Sequence, residues 1–225
     1  MSQGPTLLTK GNLVSHKYSE SHDELDKQIP IEYIMKWFNK RIPKNYGESI
    51  IAKSPADRIL IVQSSTGSGK STIIPPYLYH NFIDRLGKPI YCSQPRVLTA
   101  IDIPKNSIPK FNTKEELSKQ GHTTWNPLIY GKNMATQTGP FTKRSITKKS
   151  IIYGTPGVLL QQLNIMETDA FMDKYGIIII DEAHERSVQI DTLLYLLKKF
   201  ININYQKNGC FYLIVMSATF NAEKV

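Results

Sequence analysis

Short apolar runs alternate with longer amphipathic segments along most of this chain of 225 residues. The apolar runs fall at 58–63, 90–94, 150–153, 177–180 and 211–216. Their length is typical of strands buried in a parallel sheet. Helices are predicted between them, at 71–86, 97–103, 155–164 and 187–203. This alternation predicts an α/β fold with a mostly parallel sheet and helices on both faces.

The first 50 residues have a different pattern. Residues 1–28 are polar and glycine-containing, which predicts a flexible N-terminal lead-in. Pro30 suits the first turn of a helix, and the apolar residues after it recur at helical spacing. We therefore expect a core-packed helix and a linker at 29–50, followed by one globular domain at 51–225.

A glycine-bearing turn connects the first predicted strand to the first long helix. It reads Ser65-Thr66-Gly67-Ser68-Gly69-Lys70-Ser71-Thr72. Gly67 and Gly69 allow backbone conformations in which successive N–H groups and the helix N-terminus point at a phosphate. Lys70 is expected to reach the β- and γ-phosphates, and the Ser71 hydroxyl to bind Mg²⁺. The turn therefore predicts a site for ATP or another nucleoside triphosphate; a serine- and glycine-rich surface turn is the structural alternative.

Two carboxylates follow the apolar run at 177–180, in the sequence Asp181-Glu182-Ala183-His184. Ligands of open α/β sheets bind at the carboxyl ends of the strands, so these residues are expected beside the phosphate turn. Asp181 is a candidate Mg²⁺ ligand together with Ser71, and Glu182 a candidate base for the water that attacks the γ-phosphate. An acidic helix start, which the helix dipole favours, is the structural alternative.

Five segments occur in the order of motifs I, Ia, Ib, II and III of superfamily 2 helicases, which the chain resembles over about residues 58–220. They are Thr66 to Ser71, Gln94-Pro95-Arg96, Thr155-Pro156-Gly157-Val158-Leu159, Asp181 to His184, and Ser217-Ala218-Thr219. The DEAH spelling, followed by Glu185-Arg186, resembles the DEAH/RHA group of RNA helicases. The single arginine in the second segment resembles the helicases of large cytoplasmic DNA viruses. The resemblance implies a RecA-like P-loop NTPase domain and an ATP-dependent RNA helicase.

The resemblance also implies roles for individual residues. Lys70, Glu182 and His184 would be catalytic. Ser217 and Thr219 would couple the nucleotide state to the grip on nucleic acid. The nucleic-acid backbone would be contacted by Arg96, Thr155 and Gly157. A salt-bridged loop arginine at 96 and a helix cap at 155 are the structural alternatives.

Charge and composition add a second candidate surface. The 28 Lys and Arg residues against 19 Asp and Glu residues give a net charge of +9, and residues 105–149 hold nine of the basic and two of the acidic residues. This stretch is predicted to contact a phosphate backbone, with Lys143 and Arg144 as candidates; a solvated face is the alternative. The two cysteines give no disulfide framework, so we expect a cytoplasmic protein, in the host cytoplasm or the virion if it is viral. With the five histidines they show no zinc spacing, and no run approaches the ~20 apolar residues that span a bilayer.

Helicases of this kind carry motifs IV to VI, including the arginine fingers, on a second RecA-like domain. No segment here resembles them, so we expect a fragment or a truncated gene product that needs the second domain in cis or in trans. The expected partners are single-stranded RNA or an RNA duplex with an overhang, and no membrane. Two alternatives stay open: a stand-alone nucleotide-dependent RNA-binding module with negligible turnover, and a DNA-directed translocase.

Overall fold

One sheet forms the centre of the described part of the chain. The computed structural model describes residues 13–15, 31–48, 50–65, 67–139, 141–143 and 147–218. The strands within these ranges are β1 Leu13–Ser15, β2 Ile59–Gln63, β3 Ile90–Ser93, β4 Met134–Thr138, β5 Phe141–Lys143, β6 Ile151–Gly154, β7 Ile177–Ile180 and β8 Tyr212–Ser217. Their order across the sheet is β1-β2-β8-β7-β3-β6-β4-β5. All neighbours are parallel except β4 and β5, so the mostly parallel sheet is confirmed.

Helices cover both faces of this sheet. They are α1 Ile31–Asn39, α2 Lys70–Leu86, α3 Val97–Asp102, α4 Ile108–Phe111, α5 Lys114–Lys119, α6 Pro156–Ile165, α7 Thr168–Lys174 and α8 Val188–Asn204. Helices α1 and α2 contribute to one buried apolar cluster, and α6, α7 and α8 contribute to another. The predicted α/β architecture with helices on both faces is therefore confirmed.

The four isoleucines of β7 show how the sequence builds this layering. All four are fully buried; Ile177 and Ile179 belong to the cluster with α2, and Ile178 and Ile180 to the cluster with α8. Successive side chains of a strand point to opposite faces, so a strand covered on both sides must be apolar at every position. Each buried isoleucine contributes about 1.5 to 3 kcal/mol, which fixes the end of β7 firmly.

The strand order brings the phosphate turn and Asp181 to the same edge. Strand β8 lies between β2 and β7 and pairs in parallel with both. Hydrogen bonds extend beyond the strand ends, from Ser64 N to Ser217 O at 3.2 Å and from Asp181 N to Ser93 O at 3.0 Å. The residues that follow these strands are therefore held in one rigid row.

Several predicted boundaries need correction. Helix α1 ends at Asn39, inside the predicted helix and linker at 29–50, and the amides of Arg41 and Ile42 donate back to Phe38 O. The region between the second and third predicted strands, expected to be irregular after residue 103, contains α4, α5, β4 and β5, and α7 was not predicted. Within the predicted lead-in at 1–28, β1 pairs with β2, and the other residues lie outside the described ranges. The domain boundary at residue 50 stays a prediction.

Among the described helices, none has the length and apolar character to cross a membrane.

Candidate functional site

The phosphate turn depends on two glycines in the left-handed region. Gly67 has φ 78° and Gly69 has φ 85°, and Gly69 immediately precedes α2. Residues with a Cβ rarely adopt these φ angles, so glycine is required at both positions of the turn. The turn is closed by a contact of 2.6 Å between the hydroxyls of Ser64 and Ser68. Thr66 lies outside the described residues.

Lys70 is buried beneath this turn and is only 3% exposed. Its Nζ donates to Ser64 O at 2.7 Å and to Ser65 O at 2.8 Å. Burial lowers the pKa of Lys70, and the nearby carboxylates of Glu182 and Asp181 oppose that shift. The ammonium group is therefore held between the backbone of the turn and the two acidic residues.

Asp181 is the most completely bonded acid of the edge and is 1% exposed. Its Oδ1 accepts from the Glu182 amide at 2.9 Å. Its Oδ2 accepts from Gln94 Nε2 at 2.8 Å and from the Ser71 hydroxyl. The two predicted Mg²⁺ ligands, Ser71 and Asp181, are thus in direct contact.

Glu182 has the features expected of a proton acceptor. Burial, followed by the charge of Asp181, raises its pKa. Its Oε2 is buried, has no hydrogen-bond partner among the residues that the structure describes, and lies 3.2 Å from His184 Nδ1. Glu182 also has φ 50°, and Arg186, four residues later, has φ 48°. Non-glycine residues with positive φ concentrate at functional sites, and here they bound the turn that carries the acid.

His184 contacts two of the predicted segments at once. Beside its contact with Glu182, its Nδ1 accepts from the Ala218 amide at 3.4 Å. Ser217 is buried and pairs with Gln63 at the end of β2. Thr219 lies outside the described residues. The imidazole therefore connects the acidic turn to the end of β8.

Comparison with known proteins identifies the family. Residues 45–225 match the family described as DEAD/DEAH box helicase. The chain belongs to this family. Membership implies nucleotide binding, typically with Mg²⁺.

Individual helicases of the family show the extent of the match. RNA helicase B962L of African swine fever virus (isolate Tick/Malawi/Lil 20-1/1983) is 36% identical over 234 residues, covering 98% of this chain and 22% of that protein. ATP-dependent RNA helicase dhx29 of Xenopus laevis is 33% identical over 184 residues, covering 79% of this chain and 12% of that protein. Human ATP-dependent DNA/RNA helicase DHX36 is 28% identical over 205 residues, covering 88% of this chain and 18% of that protein. The chain therefore spans about a fifth or less of the length of these relatives.

The predicted nucleic-acid residues of this DEAD/DEAH domain are only partly described. Arg96 is 75% exposed and forms an ion pair of 3.6 Å with Glu185. Thr155 occupies the N-cap position of α6, but its side chain makes no capping hydrogen bond, and Gly157 lies in the first turn of that helix. Lys143 lies in β5 without a described side chain, and Arg144 lies outside the described residues.

Two contacts of the site were not predicted. Gln94, which follows β3 and is 1% exposed, bonds Asp181, and Tyr153 in β6 donates from its hydroxyl to Ser71 O at 3.0 Å. The rule that found Asp181, a polar residue directly after a buried strand, also applies to Gln94. Tyr153 gives no comparable signal, since an aromatic residue in a strand is usually part of the core.

The residues present fit a magnesium-bound nucleotide. Among the described residues, no three histidine, cysteine or acidic side chains cluster to hold a metal. Mg²⁺ usually retains waters and takes one or two protein oxygens plus phosphate oxygens. Ser71 and Asp181 supply that small donor set, and the unpartnered Glu182 Oε2 leaves an acceptor for water.

Proposed function

We propose that this chain is the ATP-binding and hydrolysing domain of an ATP-dependent RNA helicase, which couples hydrolysis to movement along single-stranded RNA and to duplex unwinding. The main support is one contact: the Ser71 hydroxyl donates to Asp181 at the carboxyl ends of β2 and β7, and Lys70 and Glu182 lie beside it. The relatives named as RNA helicases support RNA as the nucleic acid.

Nucleotide binding follows from the phosphate turn and Lys70. The backbone N–H groups at the start of α2 would bind phosphate oxygens, as helix N-termini do. Lys70 already donates to two carbonyl oxygens of the turn, and a phosphate would offer it a charged acceptor instead. Mg²⁺, held by Ser71 and Asp181, would neutralise charge that develops on the phosphates.

Hydrolysis is assigned to Glu182. Its unpartnered Oε2 would accept the proton of the attacking water, and its raised pKa makes it a better acceptor than an ordinary glutamate. His184 would connect the acidic turn that carries Glu182 to Ala218 and so to β8. General-base catalysis of this kind contributes about 10² to 10⁴ in rate.

Nucleic-acid binding is assigned to the same edge of the sheet. Arg96, Thr155 and Gly157 follow or begin elements at the ends of β3 and β6. Arginine and helix N-termini bind phosphates, so little sequence preference is expected. Lys143 and Arg144 would extend this surface. A second RecA-like domain, in cis or in trans, is part of the proposal because arginine fingers contribute about 10³ to 10⁵ in turnover.

The test is phosphate release by a protein that carries this chain and the second domain, with single-stranded RNA, with DNA of the same sequence, and without nucleic acid. We expect stronger stimulation by RNA. Glu182→Gln should reduce turnover by about 10² to 10⁴ and retain nucleotide binding. Equal stimulation by DNA would favour the DNA-directed translocase, and binding without turnover would favour the RNA-binding module.

The basic stretch at 105–149 has a separate test. Affinity for single-stranded RNA should fall with salt at a log–log slope of about −0.7 per neutralised phosphate. Replacing Lys143, Arg144, Lys148 and Lys149 with alanine should flatten this slope. An unchanged slope would make the stretch a solvated face and leave Arg96 and Thr155 as the candidates.

A further inference from the structure

Asp181 has no freedom to turn in its site. Its Oδ1 is held by the amide of Glu182, and its Oδ2 is held by Gln94 and Ser71. Rotation that presented both oxygens to one cation would break at least one of these bonds. The carboxylate is therefore fixed to offer a single oxygen.

Gln94 is the donor best placed to maintain this orientation. Its side chain is buried, and its backbone amide donates to Gly154 O at 2.7 Å, which anchors the residue to β6. Its Nε2 also lies 3.4 Å from Cys92 Sγ, so the amide group is confined on two sides. Ser71 is a poorer clamp, since its hydroxyl is itself a proposed cation ligand.

The charge of the donor matters as well as its position. An amide orients a carboxylate by a hydrogen bond and leaves its full negative charge, whereas lysine or arginine would neutralise it. Partners of this kind around metal ligands typically change metal affinity by about 10- to 100-fold when they are removed.

Fixed orientation favours one divalent cation over another. Mg²⁺ requires a rigid, near-octahedral arrangement, whereas Ca²⁺ accepts flexible sites and often takes both oxygens of one carboxylate. We propose that Gln94 is a positioning residue that holds Asp181 in its single-oxygen orientation and thereby makes the nucleotide site select Mg²⁺ over Ca²⁺. This inference rests on the proposed function, since it requires the nucleotide site.

The test is cation-dependent binding of a fluorescent ADP analogue to a protein that carries the chain, titrated with Mg²⁺ and separately with Ca²⁺. Gln94→Met replaces the amide with an apolar side chain of similar size. We expect it to raise the half-maximal Mg²⁺ concentration by about 10-fold or more and to change the Ca²⁺ value less, so that selectivity falls. Gln94→Asn keeps an amide but is too short to reach Asp181, and should give the same shift.

Ser93→Ala is the matched control. Ser93 lies next to Gln94, and its buried Oγ has no hydrogen-bond partner, so both cation values should stay at wild type. Equal shifts for Mg²⁺ and Ca²⁺ in the Gln94 variants, or no shift, would overturn the inference. If the wild-type protein does not bind the analogue in any cation, the proposed function itself fails. Melting temperatures without cation identify a variant that is merely unfolded.

Discussion

Basic side chains hold backbone carbonyls at both edges of the sheet, but in different surroundings. At the carboxyl edge, Lys70 donates to the phosphate turn beside the buried Asp181 and the half-buried Glu182. At the amino edge, Arg58 donates to Tyr205 O at 3.2 Å and to Cys210 O at 2.8 Å. Among the described residues, no buried acid forms a hydrogen bond or ion pair with Arg58; its guanidinium stacks on the Tyr212 ring at 4.8 Å.

At the amino edge, other basic side chains also donate to backbone carbonyls, around a cavity of about 260 Å³. Arg85 Nε donates to Pro43 O at 2.8 Å, and Lys88 Nζ donates to Met172 O at 3.0 Å and Gly209 O at 3.2 Å. These cations hold loops in place through the backbone carbonyl oxygens of the loops. A basic side chain that donates to a carbonyl does not by itself indicate a ligand site; Lys70 differs because Asp181 and Glu182 beside it oppose the loss of its charge.

The largest effect that separates the two edges is expected for Lys70→Met. Charge-assisted hydrogen bonds contribute about 1.5 to 3 kcal/mol each, so nucleotide affinity should fall at least about 100-fold. The melting temperature should also fall, because two carbonyls of the turn lose their donor and Asp181 loses a nearby positive charge. Nucleotide titration and thermal unfolding measure the two effects. Lys88→Met is the control from the amino edge. It should lower the melting temperature and leave nucleotide affinity at the wild-type value.

Arg58→Met should lower stability without changing nucleotide affinity. It leaves two buried carbonyls without their donor and removes the stacking on Tyr212. The free energy of unfolding should fall by about 2 to 4 kcal/mol, measured in urea, with unchanged nucleotide affinity. A loss of affinity at unchanged stability would show that the amino edge also serves the nucleotide.

Helix α2 connects the two edges and gives a pH-dependent test. His80 stacks on Trp125 at 4.3 Å, and Trp125 stacks on His122 at 3.8 Å. Burial, followed by the charge of His122, lowers the pKa of His80 from 6.5 to about 4. The unfolded chain therefore binds the proton first, and stability is lost as the pH falls from about 6.5 to about 4.

His80→Phe keeps an aromatic ring on Trp125 and removes this titration. Relative to the wild type, it should gain roughly 1 to 2 kcal/mol of unfolding free energy across that window, after allowance for partial solvent screening. Urea unfolding at several pH values measures the difference. A difference that does not change with pH would show that His80 does not titrate in this way.

The smallest expected effect is a stabilisation by Glu182→Gln. Because the folded pKa of Glu182 is raised above 4.5, the ionised carboxylate is disfavoured in the folded state as the pH rises. The variant should melt about 1 to 3 °C higher at neutral pH, and the difference should vanish well below pH 4.5. A lower melting temperature at neutral pH would mean that the carboxylate stabilises the edge.

The sequence predicted the elements whose own residues are diagnostic. The isoleucine run of β7 and the helix after the glycine turn have clear sequence patterns, and their boundaries agree with the structure within a residue. Strand β4 was missed because Thr136, Gln137 and Thr138 interrupt the apolar run by which the other strands were predicted. Thr136 is satisfied by Ala100 O at 3.3 Å, a contact that exists only in the folded chain. The role of Gln94 depends in the same way on Asp181, far away in sequence.

The position of β8 between β2 and β7 has a consequence for synthesis. Strand β2 leaves the ribosome before its neighbour β8, which is made about 150 residues later, as the Arg58 to Cys210 separation of 152 residues shows. Until then, the Ser64 amide lacks its partner Ser217 O, and the strands that precede Lys70 and Asp181 have no shared frame. Pairing across such a separation is slow, so the nucleotide edge is expected to be the last part of this domain to fold.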